Sequence, residues 1–435
     1  MSADASLSPI IDERTTLRQV PKYLWIVLIS AFLGWLFDAM DLNILTLVLA
    51  PSVAHLTHTT NPKVLGHIGG IVAGIKLFAW GLGGVIFGVI TDRFGRAKTM
   101  LVTIVVYAVF TGLSAISTNW IEFMLFQAIA GLGIGGEWSA GAALVTETWP
   151  EHLRARAMQI MQLAFSVGFF VAAVFNLVLG PISWRLVFAA GVLPIIVTLW
   201  VRRYVREPER WVQTRQKAAT AVNDPHAQRT PLAVIFGKDL RRPTTVGALV
   251  ALAMMIGCWG GLTWIPSWIG QLLGPNGKVH TSAYVSYAMM LMNGGAILGY
   301  LTLMWLTQAV GRRWAYFIFC TGGLVISLYL FMQVRSVGGI LGVMPIYGYF
   351  CIGGFGTFAA YLPELFPTVV RATGQGFCWN IARLLTGFGP FAGGFLIGEF
   401  GSIPAASAVI SLLFIIGLVA IWFGPETRGK QILDF

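Results

Sequence analysis

The stretch GWLFDAMDLN at residues 34–43 lies inside the first long apolar run of the chain, residues 23–50. It places two carboxylates, Asp38 and Asp41, in a segment long enough to cross a lipid bilayer. A charge at that depth costs at least about 2.5–3.5 kcal/mol, so such residues usually face a protein interior or a wet cavity. The i, i+3 spacing puts both on one helix face, where their repulsion favours uptake of a proton. We predict a proton-carrying pair; the alternative is capping or ion pairing within a helix bundle.

The composition predicts an integral membrane protein. The chain is 56% hydrophobic and 11% charged, whereas an ordinary soluble domain carries about 25% charged residues. The first 22 residues are polar, and the apolar run that follows is too long for a cleavable signal peptide. We therefore expect the first span to act as its own insertion signal. Four cysteines lie in apolar segments, where we expect neither a disulfide framework nor metal binding: Cys258, Cys320, Cys351 and Cys378.

Apolar runs separated by short polar turns predict an all-α membrane protein with twelve spanning helices. The predicted spans are 23–50, 66–91, 98–117, 120–147, 154–180, 184–205, 244–273, 281–309, 314–333, 337–361, 370–398 and 403–424. A long polar stretch separates spans 6 and 7, and we predict a linker there with a short surface helix near residues 231–238. The predicted units are an N-terminal tail (1–22), a six-helix bundle (23–205), the linker (206–243), a second six-helix bundle (244–424) and a C-terminal tail (425–435).

The charges of the loops predict the orientation of the chain. If the N-terminus is cytoplasmic, the inside segments hold most arginines and lysines, including the cluster at residues 202–242. The outside segments then hold only Lys63, Arg185, Lys278 and Arg335. This asymmetry predicts that both termini are cytoplasmic. The net charge of +11 is thereby explained by topology, and we expect no nucleic acid partner.

Two motifs recur at nearly the same offset. Glu147-x-x-Pro150-x-x-x-Arg154 is repeated 217 residues later as Glu364-x-x-Pro367-x-x-x-Arg371. Gly95-Arg96 after span 2 is repeated 216 residues later as Gly311-Arg312 after span 8. The repeats predict two parallel halves related by an axis along the membrane normal, with a substrate site between them near mid-membrane.

The segment Gly88-x-x-x-Asp92-Arg93-x-Gly95-Arg96-x-Lys98 resembles the signature loop of the major facilitator superfamily. The resemblance extends over essentially the whole chain and implies a transporter fold. It also implies that this loop locks the cytoplasmic ends of the halves in an outward-open state. The gating residues implied by it and by the repeats are Asp92, Arg93, Gly95, Arg96, Glu147, Arg154, Arg312, Glu364 and Arg371. The second copy has Gln308 in place of Asp92, which weakens the lock on that side.

Further stretches narrow the resemblance to a branch of the superfamily. Residues 133–156, from GIGGEWSAGAALVTETWP to Arg156, resemble the sialate and monocarboxylate proton symporters. Residues 37–41 resemble that branch and the aromatic-acid and nicotinate transporters. The PELFP segment at 363–367 and the PETRGK segment at 425–430 are shared more widely, including with sugar and organic-ion transporters. The resemblance implies an inner-membrane metabolite transporter and leaves the substrate open.

Five charges are predicted to lie deep inside spans: Asp38, Asp41, Lys76, Glu137 and Arg383. A charge in a low-dielectric interior needs a partner, and the alternative to a functional role is pairing of Lys76 with Asp41 or Asp38 and of Arg383 with a carboxylate. We predict proton coupling at the three carboxylates. We predict an anion anchor at Arg383, because a guanidinium binds a carboxylate in bidentate fashion. Lys76 is either structural, part of a proton relay or a second substrate contact.

Weaker candidates for the substrate site are four polar or aromatic side chains, Asn380, Gln162, Asn293 and Trp264. Asn380 shares a helical stripe with Arg383. The alternative for the amides is hydrogen bonding between helices. The alternative for Trp264 is a place in the aromatic belt at the membrane surface.

These patterns predict a monomeric proton-coupled symporter that takes up a small organic anion, a carboxylate, by alternating access. Three rivals remain: a sugar or organic-cation porter on the same fold, a membrane enzyme, and a transporter-like sensor that binds ligand without flux. The sequence has no nucleotide-binding glycine loop and no nucleophile–base pair. This disfavours ATP-driven transport and catalysis, and we expect no cofactor.

Overall fold

The chain folds into α-helices joined by short turns. The computed structural model describes residues 20–59, 61–220, 230–274, 278–386, 400 and 402–429, and no strand occurs in these ranges. Ten helical stretches of the described ranges are long and apolar enough to cross a membrane, and Trp184–Val197 forms a shorter apolar stretch. The all-α class predicted from the sequence is confirmed.

The first half begins with five long helices and continues with two short ones. They are α1 (Lys22–Thr57), α2 (Pro62–Phe94), α3 (Arg96–Ser114), α4 (Trp120–Thr148), α5 (Glu151–Leu179), α6 (Trp184–Ala190) and α7 (Pro194–Tyr204). Asn119 and Ser183 start α4 and α6, because their side chains accept hydrogen bonds from backbone N–H groups of the first turn. The predicted span 6 is divided by a turn at residues 191–193.

The second half has more breaks than the sequence predicts. Its helices are α10 (Arg241–Leu262), α11 (Ile265–Leu273), α12 (Lys278–Ala309), α13 (Arg312–Gln333), α14 (Val337–Tyr347), α15 (Phe355–Tyr361), α16 (Arg371–Thr386), α17 (Ile403–Ser411) and α18 (Phe414–Ala420). A π-helical turn, Gly348–Ile352, joins α14 to α15. It follows Pro345, which lies inside α14 and has no backbone N–H to donate. The predicted span 11 continues to residue 398, and its part beyond Thr386 lies outside the described residues.

Two helices of the linker lie on one side of the bundle, which we call the linker side. The predicted surface helix is present as α9 (Pro231–Ile235). A second helix, α8 (Glu209–Thr220), is absent from the sequence prediction. α8 and α9 both contact the short turn Thr368–Val370, which precedes α16. The linker therefore touches the second half where its helix α16 begins.

The two halves meet along two seams. α2 packs against α16, and α5 packs against α12 and α15. The first seam is tight, because a Cβ atom at Gly88 would lie 2.9 Å from the carbonyl oxygen of Ala372. Small residues allow such close approach where lipid supplies no hydrophobic drive between helices.

Within the second half, glycines set the distance between α12 and the segment from α14 to α15. A Cβ atom at Gly348 would overlap the carbonyl oxygen of Met292 and lie 2.7 Å from its carbonyl carbon. A Cβ atom at Gly295 would likewise overlap the carbonyl oxygen of Pro345. Both contacts are with backbone atoms, so a larger residue at either position requires a shift of a helix axis.

We expect Gly348→Ala to lower the stability of the protein, because an overpacked interior typically loses about 1–3 kcal/mol. The matched control is Gly342→Ala in α14, where an added Cβ atom meets nothing within 4 Å. Thermal unfolding of the two purified variants in the same detergent measures the difference. Equal melting temperatures would show that the α12 contact does not limit packing.

Candidate substrate and proton site

The deep polar side chains lie at two levels along the helices, one in the middle of the molecule and one at the linker side. Along α16, Arg371 lies at the linker end and Arg383 lies twelve residues further, about 18 Å at 1.5 Å per residue. Trp379 lies one turn closer to the linker side than Arg383. The structure therefore separates a central layer around Arg383 from a charged layer at the linker side.

Lys76 and Asp41 form a closed ion pair inside the first half. Both side chains are 1% exposed, and Lys76 Nζ lies 2.7 Å from Asp41 Oδ2. Lys76 also donates to the side-chain oxygen of Gln127 at 2.8 Å. The other carboxylate oxygen of Asp41 accepts from Thr111 Oγ1 at 2.6 Å, and Gln127 donates to Ser114. Each charge of this pair has an opposite charge and a further hydrogen-bond partner.

Asp38 and Glu137 form a second buried group across the interface of α1 and α4. Both side chains are 0% exposed. None of their four carboxyl oxygens accepts a hydrogen bond from a described residue. Gly34, one helical turn from Asp38 on α1, lies against the Glu137 carboxyl group, and Asp41 and Arg383 are further charged neighbours of Asp38. The structure thus brings Asp38 close to Glu137, whereas Asp41 belongs to the closed pair with Lys76.

Among the five deep charges, Arg383 is the one whose side chain is partly exposed. Its guanidinium carbon lies 3.5 Å from the centroid of the Trp80 ring, a cation–π contact. Its Nη1 donates to Asn380 Oδ1 at 2.6 Å, and Asn380 Nδ2 donates to the carbonyl of Gly376. A guanidinium has five N–H donors. These contacts orient it and use one of its donors for Asn380.

Tryptophans surround this central layer and were not predicted as site residues. The rings of Trp138 in α4 and Trp379 in α16 stack at 4.2 Å and join the two halves. Trp35 stacks on Phe165 at 5.4 Å. The indole N–H groups of Trp35, Trp80 and Trp379 are buried and have no partner among the described residues. The sequence did contain a signal for these tryptophans, because each lies three or four residues from a deep charge on the same helix. Trp35 is paired in this way with Asp38, Trp80 with Lys76 and Trp379 with Arg383.

The remaining sequence candidates have different partners. Gln162 in α5 accepts a hydrogen bond from Trp138 Nε1 at 3.2 Å. Asn293 donates to Met289 of its own helix, α12. Trp264 lies at the break between α10 and α11, and its indole N–H has no partner among the described residues. Gln162 is thus a support of the tryptophan layer, whereas Asn293 is bonded within its own helix.

At the linker side, one carboxylate joins arginines from both halves. Glu147 at the end of α4 accepts two hydrogen bonds from Arg96, at 2.9 and 3.0 Å. It also lies 2.8 Å from Arg371 Nη1 of the second half. Asp92 accepts from the backbone N–H groups of Ala372 and Thr373 at the start of α16. All three side-chain charges at Glu147 are fully buried, so these predicted gating residues join the two halves at the first seam.

The second copy of the gate repeats the first within its half and is looser between the halves. Arg312 makes the same two hydrogen bonds to Glu364, at 2.9 and 3.0 Å. Arg154 of the first half lies 3.9 Å from Glu364, compared with 2.8 Å for the equivalent contact of Arg371. Gln308 donates to the backbone carbonyl of His152, and Arg93, next to Asp92, is exposed.

Two glutamates that the sequence analysis did not single out support the gates. Glu207 accepts from the backbone N–H groups of Arg96, Ala97 and Lys98 at the start of α3. Glu426 accepts from Arg312 and Arg313 at the start of α13. Partial burial raises the pKa of the Glu426 carboxyl group. The backbone N–H donors outweigh this effect and hold that pKa below its usual value. The preceding glycines, Gly95 and Gly311, have φ of 116° and 90°, a region that favours glycine.

The sequence model of the family described as Major Facilitator Superfamily matches residues 24–302. The chain belongs to the Major Facilitator Superfamily. It is therefore a multi-pass membrane transporter, and an enzyme function is excluded for it. The structure of the proton:xylose symporter XylE bound to 6-bromo-6-deoxy-D-glucose has the same fold, with a TM-score of 0.77 at 18% identity. That similarity covers 94% of this chain and 98% of XylE, and the predicted twelve-helix fold of the superfamily is confirmed.

Two relatives in the superfamily come from Acinetobacter baylyi (strain ATCC 33305 / BD413 / ADP1). The cis,cis-muconate transport protein is 28% identical over 414 residues, which covers 94% of this chain and 97% of that protein. The niacin transporter NiaP is 26% identical over 432 residues, which covers 94% of each chain. Both names give an organic acid as the transported compound of that protein.

For this superfamily member we expect Glu147→Gln to open the linker side more than Glu364→Gln does. A glutamine at this position would leave two buried arginines without their shared charge, and breaking a buried ion pair typically costs about 3–5 kcal/mol. The inter-half contact of Glu364 is already loose. Electron–electron distances between spin labels on cysteines at Phe94 and Val310, which are both exposed, measure the opening. The four native cysteines are buried and stay unlabelled.

The expected result is a longer mean distance in Glu147→Gln than in the wild type, with Glu364→Gln in between. Equal distances in all three proteins, or a larger opening in Glu364→Gln, would contradict the assignment of the tight copy.

Proposed function

We propose that this chain is a proton-coupled symporter that takes up a small organic carboxylate by alternating access. The observation that carries the proposal is the neighbourhood of an unpartnered acid pair, Asp38 and Glu137, and a partly exposed guanidinium, Arg383. An acid pair can hold a proton, and a guanidinium can hold a carboxylate. The acid pair lies in the first half, on α1 and α4, and Arg383 belongs to α16 of the second half, which packs on α2 and α4.

The proton site in this proposal is the pair of Asp38 and Glu137. Two ionised carboxylates in contact, with no donor from the described protein, repel each other in a low-dielectric interior. A single proton shared between them removes one charge and supplies the missing hydrogen bond. Asp41 is assigned a structural role instead, because Lys76 and Thr111 already satisfy it.

The substrate anchor in this proposal is Arg383. Asn380 and Trp80 hold its guanidinium in a fixed orientation, so the fork does not have to be ordered when an anion arrives. A bidentate pair with a carboxylate is worth about 1.5–3 kcal/mol as a charged hydrogen bond. Lys76, our second basic candidate, is excluded from the proposed anchor because it is 1% exposed and fully bonded.

Coupling follows from the charges around Arg383. While Asp38 is ionised, its negative charge attracts Arg383 and repels an incoming carboxylate. With one shared proton the pair still carries one negative charge, so a second proton must bind to remove that repulsion and leave the charge of Arg383 for the substrate to neutralise. Proton and anion therefore favour each other's binding, and this linkage is reciprocal. A loaded site without net charge can then move between the halves at low electrostatic cost.

The surroundings of Arg383 favour a flat organic part on the carboxylate. The Trp80 and Trp379 rings lie beside the guanidinium, at 3.5 and 5.9 Å from its carbon, and Trp379 is packed by Phe358 at 5.2 Å. Aromatic faces bind planar groups by stacking. The relatives named for muconate and niacin make these two planar acids the first compounds to test. A sugar acid is the alternative outcome of the same test.

In this proposal the protein works as a monomer in the inner membrane, with both termini and the linker side in the cytoplasm. The basic loop residues support that orientation. The interactions at Glu147 and Arg371 then close the cytoplasmic side, and the substrate reaches Arg383 from the opposite side. Release into the cell requires these interactions to break.

We expect Arg383→Lys to weaken binding of the transported acid about tenfold or more, because the charge remains and the bidentate fork is lost. Arg383→Ala should fold and bind no acid. Isothermal titration of each purified variant with muconate and nicotinate measures the affinity, and Asn293→Ala is the matched control outside the anchor. Wild-type affinity in Arg383→Ala would overturn the anchor assignment.

We expect Asp38→Asn and Glu137→Gln to abolish proton-driven accumulation while the protein remains folded. Binding of the acid to the wild type should weaken as pH rises, because the ionised pair repels the anion. That pH dependence should disappear in Asp38→Asn. Uptake into proteoliposomes with an imposed pH gradient, together with binding at several pH values, measures both effects.

Asp41→Asn serves as the contrast in the same assays. It leaves the buried charge of Lys76 without its partner, so the expected result is a lower melting temperature, with a loss typical of broken buried pairs, about 3–5 kcal/mol. Concentrative uptake that persists in both Asp38→Asn and Glu137→Gln would refute proton coupling at this pair.

A further inference from the structure

The carboxyl group of Glu137 lies directly on the backbone of α1, at a position without a side chain. A Cβ atom built at Gly34 would overlap Glu137 Oε1 and lie 2.7 Å from the carboxyl carbon. Gly34 is one helical turn from Asp38 on α1, on the same face. The place that an ordinary side chain at position 34 would fill is thus occupied by the acid group that faces Asp38.

A second glycine borders the same carboxyl oxygen from its own helix. A Cβ atom at Gly141 in α4 would lie 3.4 Å from Glu137 Oε1, which is an ordinary van der Waals distance. It would also lie 3.2 Å from Met161 Cε and 3.5 Å from Ala31 Cβ. The carboxyl group is therefore confined among α1, α4 and α5. Its tightest contact is with the backbone of α1 at Gly34.

The contact at Gly34 differs in kind from the packing glycines of this protein. At Gly83 and Gly135, an added Cβ atom would overlap backbone carbonyl oxygens of a neighbouring helix, so a substitution there must move a helix. At Gly34 the three nearest atoms all belong to the Glu137 side chain. A methyl group at position 34 can be accommodated by rotation of that side chain, with the helices unmoved.

We propose that Gly34 is a positioning residue, and that its missing side chain forms a slot that holds the Glu137 carboxyl group beside Asp38. The inference rests on the proposed function, since it assigns Gly34 to the same acid pair. Proton sharing requires two heavy atoms within about 2.6–3.2 Å. A methyl group in the slot displaces the carboxyl group by more than that tolerance, so the two acids no longer share a proton.

The test compares Gly34→Ala with a variant that restores the room. Glu137→Asp shortens the acid by one methylene group, so the double variant Gly34→Ala/Glu137→Asp again fits an acid into the slot. Gly141→Ala is the graded variant, because its Cβ atom would make an ordinary contact with Glu137 and a tight one only with the flexible end of the Met161 side chain. Gly74→Ala in α2 is the matched control, since an added Cβ atom there meets nothing within 4 Å and its gain in helix propensity, about 1 kcal/mol, is the same.

Two measurements are made on each purified variant in lipid. The first is uptake of nicotinate or muconate, whichever the wild type transports, into proteoliposomes under a pH gradient. The second is the pH-difference infrared spectrum, in which a protonated carboxyl group gives its own band. A substitution that affects only the packing of helices leaves that band in place. Acid binding at Arg383 and the melting temperature are recorded beside them.

We expect Gly34→Ala to lower the accumulation ratio at least about tenfold, because misplacement by about 1 Å can cost a catalytic step about a hundredfold. Its carboxyl band should shift, whereas its melting temperature and acid affinity should stay within the range of Gly74→Ala. The double variant should accumulate more than Gly34→Ala, and Gly141→Ala should lie near the wild type.

Three outcomes overturn the slot. Gly34→Ala with wild-type accumulation and band, while Asp38→Asn and Glu137→Gln lose both, refutes the slot and leaves the proton pair standing. Unfolding of both Gly34→Ala and the double variant identifies Gly34 as a packing residue. Full accumulation in Asp38→Asn and Glu137→Gln refutes the proposed function itself, and with it the slot.

Discussion

A charge inside a membrane protein has to be neutralised by an opposite charge, a proton or a ligand, because the medium around it does not solvate it. The first half of this transporter contains both kinds of solution within one turn of α1. Asp41 is neutralised permanently by Lys76 and Thr111. Asp38 faces another acid, Glu137, and has no donor among the described residues. The ion pair of Asp41 and Lys76 makes the structure rigid, whereas the acid pair of Asp38 and Glu137, in the proposed function, responds to a proton.

The same constraint is met differently at the linker side. Glu147 is shared by one arginine of its own half and one of the other half, so separating the halves breaks one of its two ion pairs. The equivalent Glu364 is compensated within its own half by Arg312 and accepts from Thr427 as well. Its arginine from the opposite half stays 3.9 Å away. The internal repeat therefore preserves the bonds within each half and makes the bonds between them unequal.

Much of the architecture could be predicted from the sequence, because apolar length and the repeated motifs are one-dimensional signals. The repeats correctly paired Arg96 with Arg312 and Glu147 with Glu364 as equivalent positions. The partners of the deep charges could not be predicted, since the spacing of Asp38 and Asp41 places both on one face and does not give the rotation of α1 against α2 and α4. Hence Asp41 meets Lys76, whereas Asp38 meets Glu137.

The tryptophan layer was overlooked because aromatic residues in spans are common, and only the stacking of Trp138 on Trp379 across the halves distinguishes these.

The glutamates that support the gates divide the chain into self-sufficient parts. Glu207, in the linker segment that directly follows the first half, caps α3, and Glu426, in the segment that directly follows the second half, caps α13. Each half thus contains its own arginine, its own carboxylate partner and its own cap. A chain cut between α8 and α9 would leave both sets intact, and each fragment would carry a complete copy of the charged motif. Such a division is the arrangement that duplication of a single six-helix gene, followed by fusion, would produce.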